Sequence, residues 1–269
     1  MPCHTAVVSI NDSISILTLI VFLAGLLMGA VVWFSGSVSD QSVVNPFQKV
    51  LVLLAGASKT VFSGKILPVV KSLFFDVFLQ QRLFQRSAKR WLIHSLIFFP
   101  FVFRFLWGIA SRIASSQFPR EPQVWFMLDK NHPFSAFLFD LTGVMILLGI
   151  VFAFLRGSFE RQKKIAGLPD QDRWALGLIG GVVVAGFFLE GLRIAMAGWP
   201  PDSIYAFLGY GISRIFSNPI ELTAVYGYIW YLHAVLTGAF FAYLPFSRLT
   251  HMIIAPIVLA MNAVSDHKH

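Results

Sequence analysis

Five runs of mostly apolar residues, each about 20 residues long, dominate this sequence. A run of that length forms a helix that crosses the hydrocarbon core of a bilayer with all of its backbone hydrogen bonds satisfied internally. The sequence therefore predicts an all-α membrane protein with five transmembrane helices in a bundle. The predicted spans are residues 13–34, 91–112, 133–155, 174–198 and 222–246.

The composition agrees with a membrane protein and leaves little chain for anything else. Of the 269 residues, 57% are hydrophobic and 13% are charged, whereas soluble domains contain about 25% charged residues. The spans and their connections use nearly the whole chain, so we predict a single membrane domain over residues 1–269. Residues 1–12 lack the basic start of a secretory signal, so the first span is predicted to be retained.

The distribution of basic residues predicts the orientation of the helices. Of the 21 Lys and Arg residues, 15 lie in the segments 38–90, 156–173 and 248–269, and four lie in the alternate connections. Cytoplasmic segments of membrane proteins carry the excess of basic residues. We therefore predict that the N-terminus lies outside and the C-terminus lies in the cytoplasm, with the protein in the cytoplasmic (inner) membrane.

The segment 38–90 mixes apolar triplets with spaced cations and is too interrupted to cross a bilayer. Amphipathic helices of this kind lie in the membrane interface or dock a partner protein. We predict a cytoplasmic amphipathic connector that does one of the two. The alternative is a solvated connector without a binding role.

Cysteine and histidine usage limits the metal chemistry of the chain. The single cysteine, Cys3, excludes an intramolecular disulfide and any cysteine-ligated iron–sulfur cluster or zinc site supplied by this chain alone. A redox metal held by this chain would need histidine ligands. Neutral imidazole is a good axial ligand for haem iron, so the histidines near the spans are the candidates.

His94 and His251 lie at the predicted inner ends of the second and fifth spans. Two imidazoles at matched depth on neighbouring helices are the minimum construction for a bis-histidine haem b. His233 precedes His251 by 18 residues, which is five turns, or about 27 Å, of continuous helix. Such a helix would point both imidazoles the same way, although Pro245 is expected to kink it. For either histidine alone, a hydrogen-bonded residue at the membrane boundary is the favoured interpretation, whereas the pair at matched depth favours haem ligation.

Two arginines near the inner end, Arg90 and Arg248, are candidates to bind haem propionates. Their alternative role is simple snorkelling of the charged head toward water.

The outer half contains one clear histidine, His233, which needs a second ligand if it binds haem iron. Arg104, ten residues beyond His94, cannot ligate iron. His132, just before the third span, is the other candidate. Three alternatives follow: His132 and His233 hold a second haem, an outer haem is ligated otherwise, or His233 serves a quinone without an outer haem.

Four ionisable residues lie inside predicted spans, where each is costly unless it is paired or functional. Glu190 and Arg193, three residues apart, can form an ion pair on one helix face. Together with Arg104 they also suit a pocket beside a hydroquinone, in which a carboxylate or histidine takes the proton while haem takes the electron. Asp140 either joins this pocket or caps a helix contact.

The residues around the histidines resemble those of a known family. RWLIHSLIFF surrounds His94, HPFSAFLFDLTG begins at His132, and LPFSRLTHMIIAP surrounds His251. Over residues 80–256 the chain resembles the membrane cytochrome b subunits typified by the gamma subunit of respiratory nitrate reductase. It is most similar to those that serve heterodisulfide-reductase-type iron–sulfur proteins, including the membrane cytochromes of sulfate reducers.

The resemblance implies an electron-transfer subunit of a quinone-linked respiratory oxidoreductase, with one or two haems b and no complete catalytic cycle of its own. Electrons would pass between menaquinone and a cytoplasmic iron–sulfur partner. His94 and His251 would ligate the haem nearer the partner, and His233 the haem nearer the quinone. The nitrate reductase pattern has a second histidine where this chain has Arg104, and in the sulfate-reducer relatives the histidine before the third span, here His132, replaces it.

Two other classes remain open from the sequence. A small membrane transporter would use Arg104, Glu190 and Arg193 as its ion pathway, although such proteins usually contain repeated halves or paired broken helices. A haem-free membrane anchor for a peripheral enzyme would make every histidine incidental.

Overall fold

The computed structural model describes residues 13–35, 66–159, 173–216, 222–247 and 249. The regular elements within these residues are all helical. The α-helices are α1 Ser13–Ser35, α2 Ile66–Ser72, α3 Gln81–Arg86, α4 Ala88–Gln117, α5 Pro122–Leu128, α6 Pro133–Phe159, α7 Arg173–Met196, α8 Phe207–Ser213 and α9 Leu222–Tyr243. A π-helical turn, Leu73–Phe78, joins α2 to α3, and short 3-10 turns cover Pro201–Tyr205 and Leu244–Phe246.

Four of the described helical stretches are long and apolar enough to cross a membrane. They are Ala88–Gln117, Pro133–Arg156, Arg173–Met196 and Leu222–Phe246, and they agree with the second to fifth predicted spans. The first predicted span falls on α1, whose 23 residues contain a shorter apolar stretch, Leu19–Val31. An all-helical, multi-pass membrane protein is therefore confirmed, whereas the first predicted span, the total of five spans and the orientation stay predictions.

The chain divides into two compact units. The first contains residues 1–88 and 238–269, and the second is Lys89–Thr237. In the first unit, the connector before α4 exposes large apolar side chains, as expected for an amphipathic segment. They are Ile66, Leu67, Val70, Phe74, Phe75, Phe78, Leu79 and Phe84. Asp76 holds the turn between α2 and α3, because its carboxylate accepts a hydrogen bond from Ser72 Oγ at 3.1 Å and pairs with Arg82 at 3.0 Å.

Glycine residues mark close approaches between long helices of the second unit. Gly149 on α6 lies directly against α4, because a β-carbon built there would come 2.6 Å from Ile97 Cγ1 and 3.3 Å from the carbonyl oxygen of Ile93. Small residues at helix crossings let backbones approach closely in membrane proteins. The close crossing fixes α4, which carries His94 and Arg104, against α6.

Replacing Gly149 by alanine is expected to destabilise the second unit by about 1–3 kcal/mol, because the new methyl group overlaps Ile97 and approaches backbone on α4. Thermal unfolding of the purified protein in detergent measures the effect. Gly177→Ala on α7 is the matched control, since a β-carbon there meets nothing within 4 Å. Equal unfolding temperatures for the two variants would show that the α4–α6 crossing is not tightly packed.

The expected continuous helix from His233 to His251 is not observed. The α-helix α9 ends at Tyr243, the 3-10 turn Leu244–Phe246 follows, and Ser247 has extended backbone with φ −92° and ψ 170°. Pro245 explains this, since proline lacks the backbone N–H and clashes with the preceding turn. The 18-residue spacing therefore does not by itself align the two imidazoles. His251 and Arg248 lie outside the described residues.

Candidate functional site

His233 lies near the middle of α9, where it faces α7. Its Nδ1 atom is 3.0 Å from the carbonyl oxygen of Val182. A carbonyl oxygen can only accept a hydrogen bond, so Nδ1 must carry the proton. A neutral imidazole then leaves the Nε2 lone pair available. This is the state in which histidines bind metals, with the other ring nitrogen held by a backbone or carboxylate acceptor.

The contact between α7 and α9 is close on both sides of His233. A β-carbon at Gly186, one turn along α7 from Val182, would lie 3.5 Å from His233 Cε1, and one at Gly181 would lie 3.3 Å from Leu236 Cδ1. The His233 ring therefore lies beside Gly186, at a distance that a methyl group would also tolerate. A neutral ring with Nδ1 held by a backbone carbonyl oxygen is compatible with a histidine ligand of iron.

A charged cluster lies at the end of the second unit that contains residues 118–132 and 197–216, which we call the loop end. Arg104 of α4 reaches α6, where its Nε donates to Thr142 Oγ1 at 2.9 Å and its guanidinium also donates to the carbonyl oxygen of Phe139. The guanidinium stacks over the Phe139 ring at 5.2 Å. Neutral acceptors thus hold this cation, and Glu190 and Asp140 act on it through longer-range electrostatics.

The Glu190–Arg193 ion pair predicted from their spacing is confirmed. Arg193 Nη2 lies 3.3 Å from Glu190 Oε1. The same guanidinium donates to the side-chain oxygen of Asn131 and lies 3.5 Å from the carbonyl oxygen of Lys130. Arg193 thereby ties the end of α7 to the connection before α6.

Asp140 caps a helix contact, as one of its two sequence interpretations predicted. Its side chain is fully buried, and Oδ2 accepts hydrogen bonds from the backbone N–H groups of Leu208 at 2.6 Å and Gly209 at 3.1 Å. These N–H groups belong to the first turn of α8, where helices lack internal acceptors. The carboxylate on α6 therefore holds α8 in place across 68 residues of sequence.

His132 has a different hydrogen-bonding state from His233. Its Nδ1 accepts a bond from the backbone N–H of Phe134 at 3.3 Å, and its carbonyl oxygen accepts from Ala136 at 2.9 Å. His132 thus closes the start of α6. Because Nδ1 is the acceptor here, the proton of a neutral ring lies on Nε2. Ligation of iron by His132 Nε2 therefore requires the other tautomer and loss of the Phe134 bond.

His94 and Arg90 lie in the first turns of α4. The His94 ring is half-buried and stacks against Phe98, with centroids 5.7 Å apart. Arg90 is exposed one turn earlier. The proposed partners of these residues at the other end of the chain, His251 and Arg248, are outside the described residues, so the His94–His251 pair stays a prediction. Within the described ranges, no group of three or more His, Cys, Asp or Glu residues is placed to hold a metal ion, and a bis-histidine haem needs only two.

Several members of this site carry no sequence signal. Val182 contributes a backbone oxygen, which any residue supplies, and Asn131 and Thr142 are ordinary polar residues until the fold brings them to Arg193 and Arg104. From the sequence, Lys130 belongs to the loop alone. In the structure it lies over the Phe139 ring, with Nζ 5.8 Å from the centroid.

The sequence pattern of the nitrate reductase gamma subunit family matches residues 105–264. This match covers α6, α7, α8 and α9 and the connection before α6, and it therefore includes His132, His233 and most of the charged cluster. The chain belongs to the nitrate reductase gamma subunit family. The resemblance inferred from the histidine-containing segments is thereby confirmed.

The curated relatives of this family member are distant. It is 24% identical over 204 residues to a subunit of the dihydromethanophenazine:CoB–CoM heterodisulfide reductase of Methanosarcina thermophila, an alignment that covers 72% of this chain and 67% of the relative. The corresponding subunit of Methanosarcina mazei is 25% identical over 204 residues, which is 72% of this chain and 68% of the relative. The EtfAB:quinone oxidoreductase of Syntrophomonas wolfei is 24% identical over 219 residues, which is 77% of this chain but 29% of that protein. No solved structure matches the chain.

Proposed function

We propose that this chain is the haem b-bearing membrane subunit of a quinone-linked respiratory complex. It transfers electrons between menaquinone and a cytoplasmic iron–sulfur partner of the heterodisulfide reductase type. Membership of the nitrate reductase gamma subunit family supports the assignment as a membrane cytochrome b. The names of the relatives, dihydromethanophenazine:CoB–CoM heterodisulfide reductase and EtfAB:quinone oxidoreductase, support a redox complex that uses a membrane electron carrier.

The observation that carries the proposal is the bond between His233 Nδ1 and the Val182 carbonyl oxygen. A histidine inside a membrane helix is costly unless it has a purpose. Here the backbone carbonyl oxygen of Val182 accepts the hydrogen bond of Nδ1. The ring packs beside Gly186, which has no polar side chain. The free Nε2 lone pair is what an axial ligand of haem iron requires.

The proposed haem ligands fall into two pairs. His94 and His251 hold the haem near the cytoplasmic partner, with Arg90 and Arg248 binding its propionates. His233 holds the haem near the loop end, with His132 as the second ligand after its change of tautomer. When bound, haem b supplies one-electron transfer.

At the loop end, Arg104, Glu190 and Arg193 form the proposed quinone pocket. The guanidinium groups provide donors for quinone oxygens, and the Glu190 carboxyl group exchanges the proton. Burial strengthens these polar contacts, because the dielectric constant is low.

The proposed topology has five spans, with α1 as the first, the N-terminus outside, and the loop end on the outer side of the cytoplasmic membrane. The basic connector before α4 and the C-terminal tail then face the cytoplasm. The exposed aromatic side chains of the connector, such as Phe74, Phe75 and Phe78, provide an apolar surface for the iron–sulfur partner.

The first test is the haem content of the purified subunit. A reduced-minus-oxidised visible spectrum is expected to contain a b-type α-band, and the pyridine haemochrome assay is expected to give two haems per chain. A single haem would remove the His233–His132 pair and make His233 a quinone ligand. A subunit purified intact with its partner and without any b-type band would refute the proposal and favour an anchor or a transporter.

A further inference from the structure

We infer that Asp140 and Glu190 form a buried carboxyl pair that holds one exchangeable proton between them. The sharing of this proton is independent of the proposed electron transfer, whereas its use in quinone chemistry rests on the proposed function. The pair would be the proton-binding site of the loop end.

Both carboxyl groups meet at Gly209, in the first turn of α8. The Gly209 N–H donates to Asp140 Oδ2 at 3.1 Å. From the other side, a β-carbon at Gly209 would lie 2.6 Å from Glu190 Cγ and 3.2 Å from Glu190 Oε2. Only glycine at this position lets two acidic side chains from different helices come so close.

The hydrogen bonds leave one oxygen on each carboxyl group to be satisfied. Asp140 Oδ2 has two backbone donors, while Oδ1 is buried and has no hydrogen-bond partner among the described residues. Glu190 Oε1 is taken by Arg193. A buried acceptor without a donor is destabilising. One proton between the two carboxyl groups supplies the missing donor and removes the repulsion between two buried anions.

The charges around the pair favour a proton over a metal cation as its ligand. Arg193 and Lys130 act electrostatically on Glu190, and Arg104 acts on both Glu190 and Asp140. Three cations repel a metal ion, and no third oxygen-bearing acid in the described chain joins the pair. They also keep the second carboxyl group ionised, so the pair holds one proton and not two.

The two members differ in their access to solvent. The side chain of Asp140 is 0% exposed, while that of Glu190 is 13% exposed at the loop end. Asp140 Oδ2 also accepts two backbone N–H bonds, so Oδ1 is its remaining acceptor. Glu190 is therefore the member through which the shared proton exchanges with water.

Under the proposed function, this proton compensates charge at the loop end. An electron on the haem proposed at His233 favours retention of the shared proton, because the binding of the two opposite charges is linked. When the electron leaves, release of the proton is favoured. The proton comes from solvent and returns to it. No bond other than the O–H bond forms or breaks.

Infrared difference spectroscopy of the purified protein tests the pair directly. The wild type at neutral pH is expected to show the carbonyl stretch of one protonated carboxylic acid, which shifts in D2O and disappears at high pH. Asp140→Asn and Glu190→Gln are both expected to lose this band, since each amide supplies an N–H donor permanently to the remaining carboxylate. Asp202→Asn, on the exposed turn Pro201–Tyr205, is the control and should keep it.

Persistence of the band in either amide variant, or its absence from the wild type, would overturn the shared proton. Glu190→Gln keeps both backbone bonds to Asp140, so it remains informative if Asp140→Asn disturbs α8. Gly209→Ala provides a third variant, because its methyl group forces the Glu190 carboxyl away and should weaken the band. Gly211→Ala on the same helix is its matched control, since a β-carbon there meets nothing within 4 Å.

The shared proton and the proposed electron transfer can be refuted independently of each other. A protein that lacks haem but keeps the band would refute electron transfer and leave the proton site intact. A protein that contains haem but lacks the band would refute the shared proton and leave electron transfer intact. Reduction with dithionite is expected to shift the band in the wild type, and an unchanged band on reduction of the haem would separate the pair from the redox chemistry.

Discussion

Replacing His233 by alanine is expected to remove the haem at the loop end and to leave the haem ligated by His94 and His251. The substitution deletes an axial ligand, and a methyl group cannot replace the Nε2 lone pair. The pyridine haemochrome assay should therefore fall from two haems to one per chain. Menaquinol-dependent reduction of the remaining haem should be abolished, because the electron path from the loop end is interrupted.

Leu236→Ala is the matched control for this loss. Leu236 lies on the same helix and contacts Gly181 on α7, so the control also truncates the α7–α9 interface. It should retain both haems. His132→Ala then identifies the second ligand, since it should lose the same haem as His233→Ala. If the His233 variant keeps full haem content, the ring is a structural hydrogen-bond donor to Val182 and the outer haem assignment is wrong.

Replacing His251 by alanine is expected to remove the other haem, and His94→Ala should remove the same one. Two ligands that act on one iron give non-additive effects, so the double variant should lose no more haem than either single variant. Electron transfer to the iron–sulfur partner should stop in all three. Redox titration of the remaining b-type band measures which haem has been lost.

His4→Ala is the control for nonspecific effects of histidine removal, because His4 precedes the first predicted span and has no proposed ligand role. Haem content should be unchanged in this variant. Full haem content in His251→Ala would contradict the pairing with His94. Loss of haem in His94→Ala alone would keep His94 as a ligand and require a different partner.

The long helices could be predicted from the sequence because apolar length alone determines a membrane span. The predicted span 133–155 corresponds to the helical stretch Pro133–Arg156, and 174–198 corresponds to Arg173–Met196. Likewise, the ion pair of Glu190 and Arg193 follows from helical spacing. These features are local, so one sequence contains the information they need.

The contacts that define the loop end are non-local and could not be predicted in this way. Asp140 bonds to Gly209 across 69 residues, and Arg104 bonds to Thr142 across 38. The positions of the ionisable residues along the spans predict that most of them share one half of the membrane, but such positions contain no information about their partners. Pro245 is recognisable from the sequence as a disruption, and the structure shows that the α-helix ends at Tyr243.

The acceptor that fixes His233 is a main-chain atom, the Val182 carbonyl oxygen. Substitution of the side chain at position 182 leaves that oxygen in place, so such substitutions are not expected to change the tautomer of His233. The arrangement is sensitive instead to axial sliding of α9 along α7, since a slip of one residue displaces the imidazole by about 1.5 Å. Insertions or deletions within either helix should therefore be far more harmful than point changes at the contact.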